Sequence, residues 1–203
     1  MYTFPIPRPS QQAEILEAAL STFAERGYDG ARIREIADRA GVTDGALYRH
    51  FNSKEELAQH LFAQALTAYS EALIEATAIG GSVRARLRGC MDAGLRLFRK
   101  NPEAMTFTLL RQHSFMPALP AGFRYPIQVI EGVITDGQLE GTVRAGDPKL
   151  LAAIFAGCLL RPMIVSQLAA PGSFDLIRER RHDETIIEAG WSAVAAPGRG
   201  EAR

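Results

Sequence analysis

The sequence predicts an all-α fold, with an N-terminal three-helix helix-turn-helix domain at residues 10–57 and a larger helical domain at residues 58–196. Apolar residues recur at intervals of three and four along most of the chain, as they do on one face of an α-helix. The periodic segments begin at capping residues or prolines and end at glycines. No convincing alternation typical of strands and no internal repeat is found.

The N-terminal domain is expected to hold three short helices. The first begins near Gln12 and ends at Arg26-Gly27, the second stops at Gly41, and the third follows Val42-Thr43 with Leu47 facing inward. Their inward positions share helical spacing; in the first two helices they are Ile15, Leu16, Ala19, Leu20, Phe23, Ile33, Ile36, Ala37 and Ala40.

The larger domain opens with a long helix that starts at Lys54, because Ser53 and Glu56 form a capping box, and runs to Gly80-Gly81. Further helix starts are expected at Ser82, Asn101-Pro102, Pro126 and Asp147-Pro148, with a loop at Met116–Gly122 and a kink at Pro162. A final helix carries Ile186, Ile187, Trp191 and Val194, and the segment Phe174–Arg181 either belongs to it or precedes it. The tail after Ala196 is expected to be frayed.

Composition gives no indication of a nucleic-acid partner. The 203 residues are 47 % hydrophobic and 23 % charged with a formal net charge of zero, and residues 1–60 hold seven Lys/Arg against nine Asp/Glu. Any contact with DNA must therefore come from a local arrangement of side chains.

Localisation and cofactors are also constrained by the sequence. The first ten residues lack the basic segment and apolar run of a secretory signal, and no uninterrupted apolar stretch reaches the ~18 residues of a membrane span. A cytoplasmic protein without membrane association is expected. Cys90 and Cys158 lie in apolar helical patterns and are expected to be buried, reduced thiols. No metal and no cofactor is predicted.

The spacing of the second and third helices is that of a helix-turn-helix. Ala37 is small where the next helix crosses, Gly41 permits the turn, and Ile36, Val42 and Leu47 close the small core. The residues expected to face outward are Thr43, Asp44, Gly45, Ala46, Tyr48, Arg49 and His50. Thr43 is a natural N-cap. From spacing alone, the alternative is a packing corner without any role in DNA binding.

A longer match resolves this alternative. Residues 12–57 carry the patterns Phe23-x-x-x-Gly27-Tyr28, Ile36-Ala37-x-x-Ala40-Gly41-Val42 and Gly45-Ala46-Leu47-Tyr48-x-His50-Phe51-x-Ser53-Lys54-x-x-Leu57. Over this segment the chain resembles the TetR family of bacterial transcription regulators. The resemblance covers nearly the whole N-terminal domain, whereas residues 58–196 resemble the family only in helical layout.

The resemblance implies a set of DNA-binding residues. Tyr48, His50 and Lys54 would contact phosphates, Thr43 would cap the recognition helix beside the DNA backbone, and Gly45 with Asp44 and Ala46 would approach base edges. Arg49 lies on the same outward face. The family often has Thr then Ser before the second helix, whereas this chain has Ala31-Arg32, so that a helix cap is missing and Arg32 becomes a further candidate for a phosphate contact.

The resemblance also implies partners: a double-stranded DNA operator of palindromic sequence, a small-molecule effector and a second copy of the chain. The effector would release a repressor from its operator. The segments Leu150–Leu168 and Thr185–Val194 would form the dimer contact, unless their apolar faces pack within one subunit.

An aromatic and Met-rich set on the middle helices is the candidate ligand pocket, with ordinary core as the alternative. Its members combine apolar walls with a few polar anchors and predict a mostly apolar effector with one polar or anionic group; they are Phe98, Met105, Phe107, Arg111, His113, Phe115, Phe123, Tyr125, Phe155 and Arg161. Arg161 lies in an apolar stretch and needs a ligand anion, an acidic side chain or interfacial water as its partner.

Two other classes of function are weighed against a DNA-binding regulator. An enzyme is disfavoured because no Gly-rich phosphate loop, metal-ligand spacing or Ser/His/Asp signature is found. A helical protein-interaction module would require the third helix to bury its outward face against another protein. The sequence leaves open the operator, the effector and whether the effector releases or promotes DNA binding.

Overall fold

The computed structural model describes residues 10–115, 119–168, 177 and 180–197, with the side chains of residues 110–114, 167 and 168 left out. In these ranges the chain is α-helical without a strand, which confirms the predicted fold class. The helices are α1 (Gln11–Gly30), α2 (Ile33–Arg39), α3 (Asp44–His50), α4 (Lys54–Ala78), α5 (Val83–Lys100), α6 (Pro102–Phe115), α7 (Pro126–Leu139), α8 (Pro148–Leu168) and α9 (Asp183–Val194).

Side-chain caps fix most of the helix starts. The hydroxyls of Ser10, Thr43, Ser53 and Ser82 each accept a hydrogen bond from the backbone N–H three residues later. The capping box at α4 is modified, because the Glu56 carboxylate accepts from the backbone N–H of Asn52, at 2.8 Å, and not from that of Ser53. These local bonds explain why the start signals of the sequence predict the helices well.

The bounds of three helices add detail to the sequence prediction. In α1 the helical backbone is interrupted at Gly27, where the sequence places a permissive glycine; its φ of 70° favours glycine, and a short further turn extends α1 to Gly30. Helix α8 continues through Pro162 to Leu168. A 3-10 turn at Arg180–His182 precedes α9, so the described part of the uncertain segment lies outside that helix.

Two hydrophobic clusters form the core. The first joins α1, α2, α3, the first half of α4 and Phe115 of α6. The second is built from the later part of α4 together with residues of α5 to α9. Helix α4 therefore contributes to both, with Leu57, Phe62 and Leu66 in the first and Tyr69 and Leu73 in the second. The predicted boundary at residue 57/58 lies inside this helix.

Helix α8 has an apolar outer side. By length and composition alone it is the one helix of the described ranges that is able to cross a membrane, over Pro148–Ser166, yet a core or interface helix has the same composition. Lys149 and Arg161 interrupt the apolar run. Leu150 and Ile154 are 59 % and 43 % exposed on this helix. Its outer side is thus available to a protein partner.

The two cysteines differ in burial. Cys90 is buried, as expected, and burial raises the pKa of its thiol to about 12. Cys158 is only partly buried, and burial raises the pKa of its thiol as well. Both groups stay protonated at neutral pH, and no group of three or more His, Cys, Asp or Glu able to hold a metal occurs in the described ranges.

Candidate DNA interface

The turn between α2 and α3 is fixed by a glycine and by backbone hydrogen bonds. Gly41 has a φ of 68°, which other residues adopt only with strain. The backbone N–H of Val42 donates to the carbonyl of Ala37 at 3.0 Å, and that of Gly41 donates to Asp38 at 3.2 Å. The angle between the two helices is therefore set by the backbone.

The small core beneath this turn is fully closed. Ile36, Ala37 and Leu47 are completely buried, and Val42 packs against them while partly exposed. Ala37 and Leu47 occupy the inward positions that the sequence predicts. Because these side chains hold α2 and α3 together, the outer face of α3 is presented on a rigid support.

The exposed face of α3 contains six of its predicted outward residues: Thr43, Asp44, Gly45, Tyr48, Arg49 and His50. Tyr48 is 48 % exposed, so a large part of this aromatic residue faces outward. The prediction that Ala46 faces outward is wrong, because Ala46 is 95 % buried. It lies beside Leu47 on the side of α3 that faces the protein, so its methyl group supports the helix and does not reach outward.

Both ends of α3 are tied down. The Thr43 hydroxyl accepts from the backbone N–H of Ala46 at 3.2 Å, as its predicted capping role requires. At the other end, the Nε2 atom of His50 lies 3.1 Å from the Oε1 atom of Gln11, at the start of α1. His50 is exposed, and this contact joins α3 to α1.

Lys54 is held by the protein itself. Its Nζ donates to the backbone carbonyls of Tyr28, Asp29 and Ala31, at 2.8, 3.4 and 3.0 Å. The ammonium also lies 4.6 Å from the centre of the Tyr28 ring, a cation-π distance. These carbonyls belong to the end of α1, so Lys54 joins the start of α4 to α1. A phosphate contact would require the ammonium to leave them.

The arginines of the domain fall into two groups. Arg39 pairs with both carboxylate oxygens of Glu25, at 2.8 and 2.7 Å, and its guanidinium holds the pKa of that carboxyl below the usual value. Arg26 pairs with Glu35 at 3.3 Å. Arg32, Arg34 and Arg49 are exposed and have no ion-pair partner in the described ranges. Arg32 precedes α2 as an N-cap without a side-chain hydrogen bond, which matches the predicted absence of a cap.

The predicted ligand pocket is not brought together as one cavity. Phe98, Met105 and Phe155 are buried in the second cluster, whereas Phe107, Phe115, Phe123 and Tyr125 belong to or pack against the first. Arg161 is exposed on α8. The side chains of Arg111 and His113 lie outside the described part of the chain.

The aromatic residues of α6 complete the core of the N-terminal domain. Phe107 stacks on Phe23 with ring centres 5.5 Å apart, and Phe115 meets Tyr28 edge-on at 5.6 Å and Phe62 at 6.0 Å. Helix α6 crosses α1 and α4, and this crossing directs the rings away from the second cluster. The eight-residue interval between the two phenylalanines of α6 indicates a shared helix face, but it does not say which helix that face contacts.

A cavity of about 400 Å³ lies elsewhere, between α1, α4, α5 and α6. Met105 is its one member from the predicted pocket set. Sequence reasoning missed this cavity, because its walls come from four helices whose crossing is set by tertiary packing.

Residues 15–61 match the family described as bacterial regulatory proteins, tetR family. The repressor KstR2 of Mycobacterium tuberculosis is 50 % identical over 52 residues, a match that covers 26 % of this chain and 26 % of the relative. The first relatives are therefore matched over about a quarter of their own length. The fatty acid metabolism regulator protein of Bacillus subtilis is 25 % identical over 154 residues, covering 72 % of this chain and 78 % of that protein.

Solved structures extend the likeness to the whole fold. A tetR-family regulatory protein from Rhodococcus RHA1 superposes with a TM-score of 0.77 at 21 % identity, over 94 % of this chain and 100 % of that chain. The ketosteroid regulator KstR2 of Mycobacterium tuberculosis gives a TM-score of 0.74 at 22 % identity, over 94 % and 98 %. The N-terminal domain therefore matches the tetR family of bacterial regulatory proteins in sequence over residues 15–61, and the complete helical architecture matches solved tetR-family structures in fold.

Proposed function

We propose that the protein is a sequence-specific DNA-binding transcription regulator, in which residues 10–57 bind DNA and residues 58–196 bind a ligand and form the dimer. The observation that carries this proposal is the exposed face of α3 on a closed helix-turn-helix core. A helix presented in this way fits the major groove of B-DNA. Asp44 and Gly45 would approach base edges.

Phosphate contacts would surround this recognition helix. Tyr48, Arg49 and His50 are exposed along α3, and Arg32 is exposed at the start of α2. Thr43 would stand beside the backbone as the cap. The local positive charge of the two arginines compensates for a neutral chain, because a DNA contact needs charge at the interface and not over the whole molecule.

A homodimer is part of this proposal. One short recognition helix reads only a few base pairs, so useful specificity requires two helices ~34 Å apart on a palindromic operator. The outer side of α8 offers a surface for pairing, with Leu150, Ile154 and Arg161 exposed at helical spacing. On this surface Arg161 would be an interface residue with a polar or solvated partner, which is one of the alternatives its sequence context allows.

We further propose that the protein acts in the cytoplasm as a repressor, without enzymatic activity, and that a small, mostly apolar effector releases it from the operator. The repressor role is supported by KstR2, which is named a repressor. The apolar effector is supported by the Bacillus subtilis relative, which is named a regulator of fatty acid metabolism. The test is fluorescence anisotropy with the DNA that flanks the gene. Failure to bind any flanking fragment more tightly than random DNA contradicts the proposal.

Arg49→Ala is expected to weaken binding to operator DNA and to random DNA to a similar degree. A phosphate contact positions the protein and carries no sequence information, so its removal lowers affinity uniformly. The slope of log affinity against log salt should flatten by roughly one unit for each phosphate that the variant no longer neutralises. Anisotropy titrations at several salt concentrations measure both quantities. Arg144→Ala, an exposed arginine of the second domain, is the matched control and should leave the slope unchanged.

Lys54→Met is expected to lower the free energy of unfolding by about 1–3 kcal/mol, because three backbone carbonyls lose their charged donor. Thermal and urea denaturation measure this effect without any DNA. Lys149→Met changes an exposed lysine and should have little effect. If Lys54→Met weakens DNA binding but leaves stability unchanged, Lys54 serves as a phosphate ligand and not as the tie between α1 and α4.

A further inference from the structure

The cavity between the N-terminal domain and the rest of the chain has walls from four helices. Helix α1 supplies Leu16 and Leu20, and α4 supplies a face at helical spacing; the remaining walls come from the α5–α6 corner. The lining residues beyond Leu16 and Leu20 are Glu17, Leu61, Gln64, Ala65, Ala68, Leu97, Lys100, Asn101, Ala104 and Met105. At about 400 Å³ the cavity lies in the lower part of the range of small-molecule sites, ~300–1,000 Å³.

The floor of this interdomain cleft is apolar and its rim is polar. Leu16, Leu20, Leu61 and Met105 are each less than one-tenth exposed, so the hydrophobic floor is already shielded from bulk water. An elongated apolar group that covers them would remove further apolar surface from water. This favours a flexible or narrow hydrocarbon over a large polar ligand.

Charge at the rim selects the head group. Lys100 ends α5, is exposed, and has no ion-pair partner in the described ranges. Glu17 lines the opposite wall, on α1, at the edge that the cleft shares with a second, shallower depression. An anionic head group near Lys100 therefore finds charge complementarity.

We infer that this interdomain cleft binds a single-chain amphiphilic anion, such as a medium-chain carboxylate, with its hydrocarbon along α1 and α4 and its carboxylate beside Lys100. Such a ligand contacts the DNA-binding domain through Leu16 and Leu20 and the second domain through Leu97 and Met105. Its effect on DNA rests on the proposed function: occupancy changes how α1 lies against α5 and α6, and with it the position of α3.

Sodium decanoate below its micelle concentration is the probe, titrated into the full chain by isothermal calorimetry. We expect one decanoate per subunit, with decylammonium binding at least about threefold more weakly because its charge is reversed. Lys100→Gln should weaken decanoate about threefold to fivefold, whereas the matched change Lys149→Gln should not. Equal or tighter binding of decylammonium contradicts the assignment of the head group.

A variant that fills the cleft tests its location. Ala68 is exposed and lines the cleft, so Ala68→Trp adds a ring there without displacing core, and it should reduce decanoate affinity at least about tenfold. Ala78→Trp changes another exposed alanine of the same helix outside the cleft and is the control. Circular dichroism reports whether each variant folds. If Ala68→Trp does not fold, the comparison of Lys100→Gln with Lys149→Gln tests the location of the ligand instead. Undiminished binding to folded Ala68→Trp overturns the inference.

Anisotropy with operator DNA separates this inference from the proposed function. Decanoate should lower the operator affinity of the natural chain at least about fivefold. The operator affinity of Ala68→Trp should be the same with and without decanoate. If the protein binds decanoate but no DNA, the cleft inference stands and the proposed function is contradicted. If it binds DNA but no decanoate, the proposed function stands and the cleft inference is contradicted.

Discussion

Gly45→Leu is expected to reduce operator affinity by at least about 100-fold, toward the level of random DNA, while the protein remains folded. Gly45 lies in the first turn of α3 on the exposed face, and a Cβ added there meets nothing within 4 Å. The leucine side chain therefore projects into the space where a base edge would lie. In a dimer this steric obstruction occurs at both half-sites.

Gly45→Ala separates the effect on DNA from the effect on the helix. Because alanine stabilises a helix interior by roughly 0.5–1 kcal/mol relative to glycine, this variant should unfold at a higher temperature than the natural chain. Anisotropy and thermal denaturation on both variants provide the measurement. Gly132→Leu, in α7, controls for leucine at a helical glycine. Unimpaired operator binding by folded Gly45→Leu removes α3 from the DNA interface.

Ile154→Asp is expected to convert the proposed dimer to a monomer and to weaken operator binding by at least about 100-fold. Ile154 is 43 % exposed on the outer side of α8, where Leu150 lies one turn away. A carboxylate buried at the centre of an apolar dimer contact would lose its hydration without a partner, which is strongly unfavourable. A monomer then presents one recognition helix and loses the second half-site.

Sedimentation velocity at micromolar concentration and operator titration with the same samples test this expectation. Ile79→Asp is the matched control, since Ile79 is 88 % exposed at the end of α4, away from the α8 surface. The control should remain dimeric and bind DNA normally. Dimers that survive Ile154→Asp with full DNA affinity place the subunit contact on another surface.

Much of the fold follows from local signals in the sequence. The caps at Thr43, Ser53 and Ser82 act within one turn of the chain, so reading the residues in order is enough to place α3, α4 and α5. The burial of Leu47 follows from helical periodicity in the same way. The break in α1 at Gly27 follows from the permissive residue there, whereas the short further turn to Gly30 has no signal in the sequence.

The candidate sites are harder to predict because they depend on partners distant in sequence. Lys54 has the residue type of a phosphate ligand, yet its ammonium binds carbonyls 23 to 26 residues earlier in the chain. The prediction that Ala46 faces outward is wrong because its small side chain gives no sign of which face it occupies. Phe107 and Phe115 are aromatic residues of the kind that line ligand pockets. Only the crossing of α6 over α1 and α4 shows that they contact the cluster of the N-terminal domain.

The stacking of α6 rings on the N-terminal domain has a consequence for protein engineering. A chimera that joins residues 1–57 to an unrelated sensor module would leave Phe23 and Tyr28 without the rings of Phe107 and Phe115. It would also cut α4 ahead of Phe62, which packs on Phe115. The smallest exchangeable DNA-reading unit of this chain therefore includes the first half of α4 and the aromatic face of α6, which a donor module must reproduce at the junction.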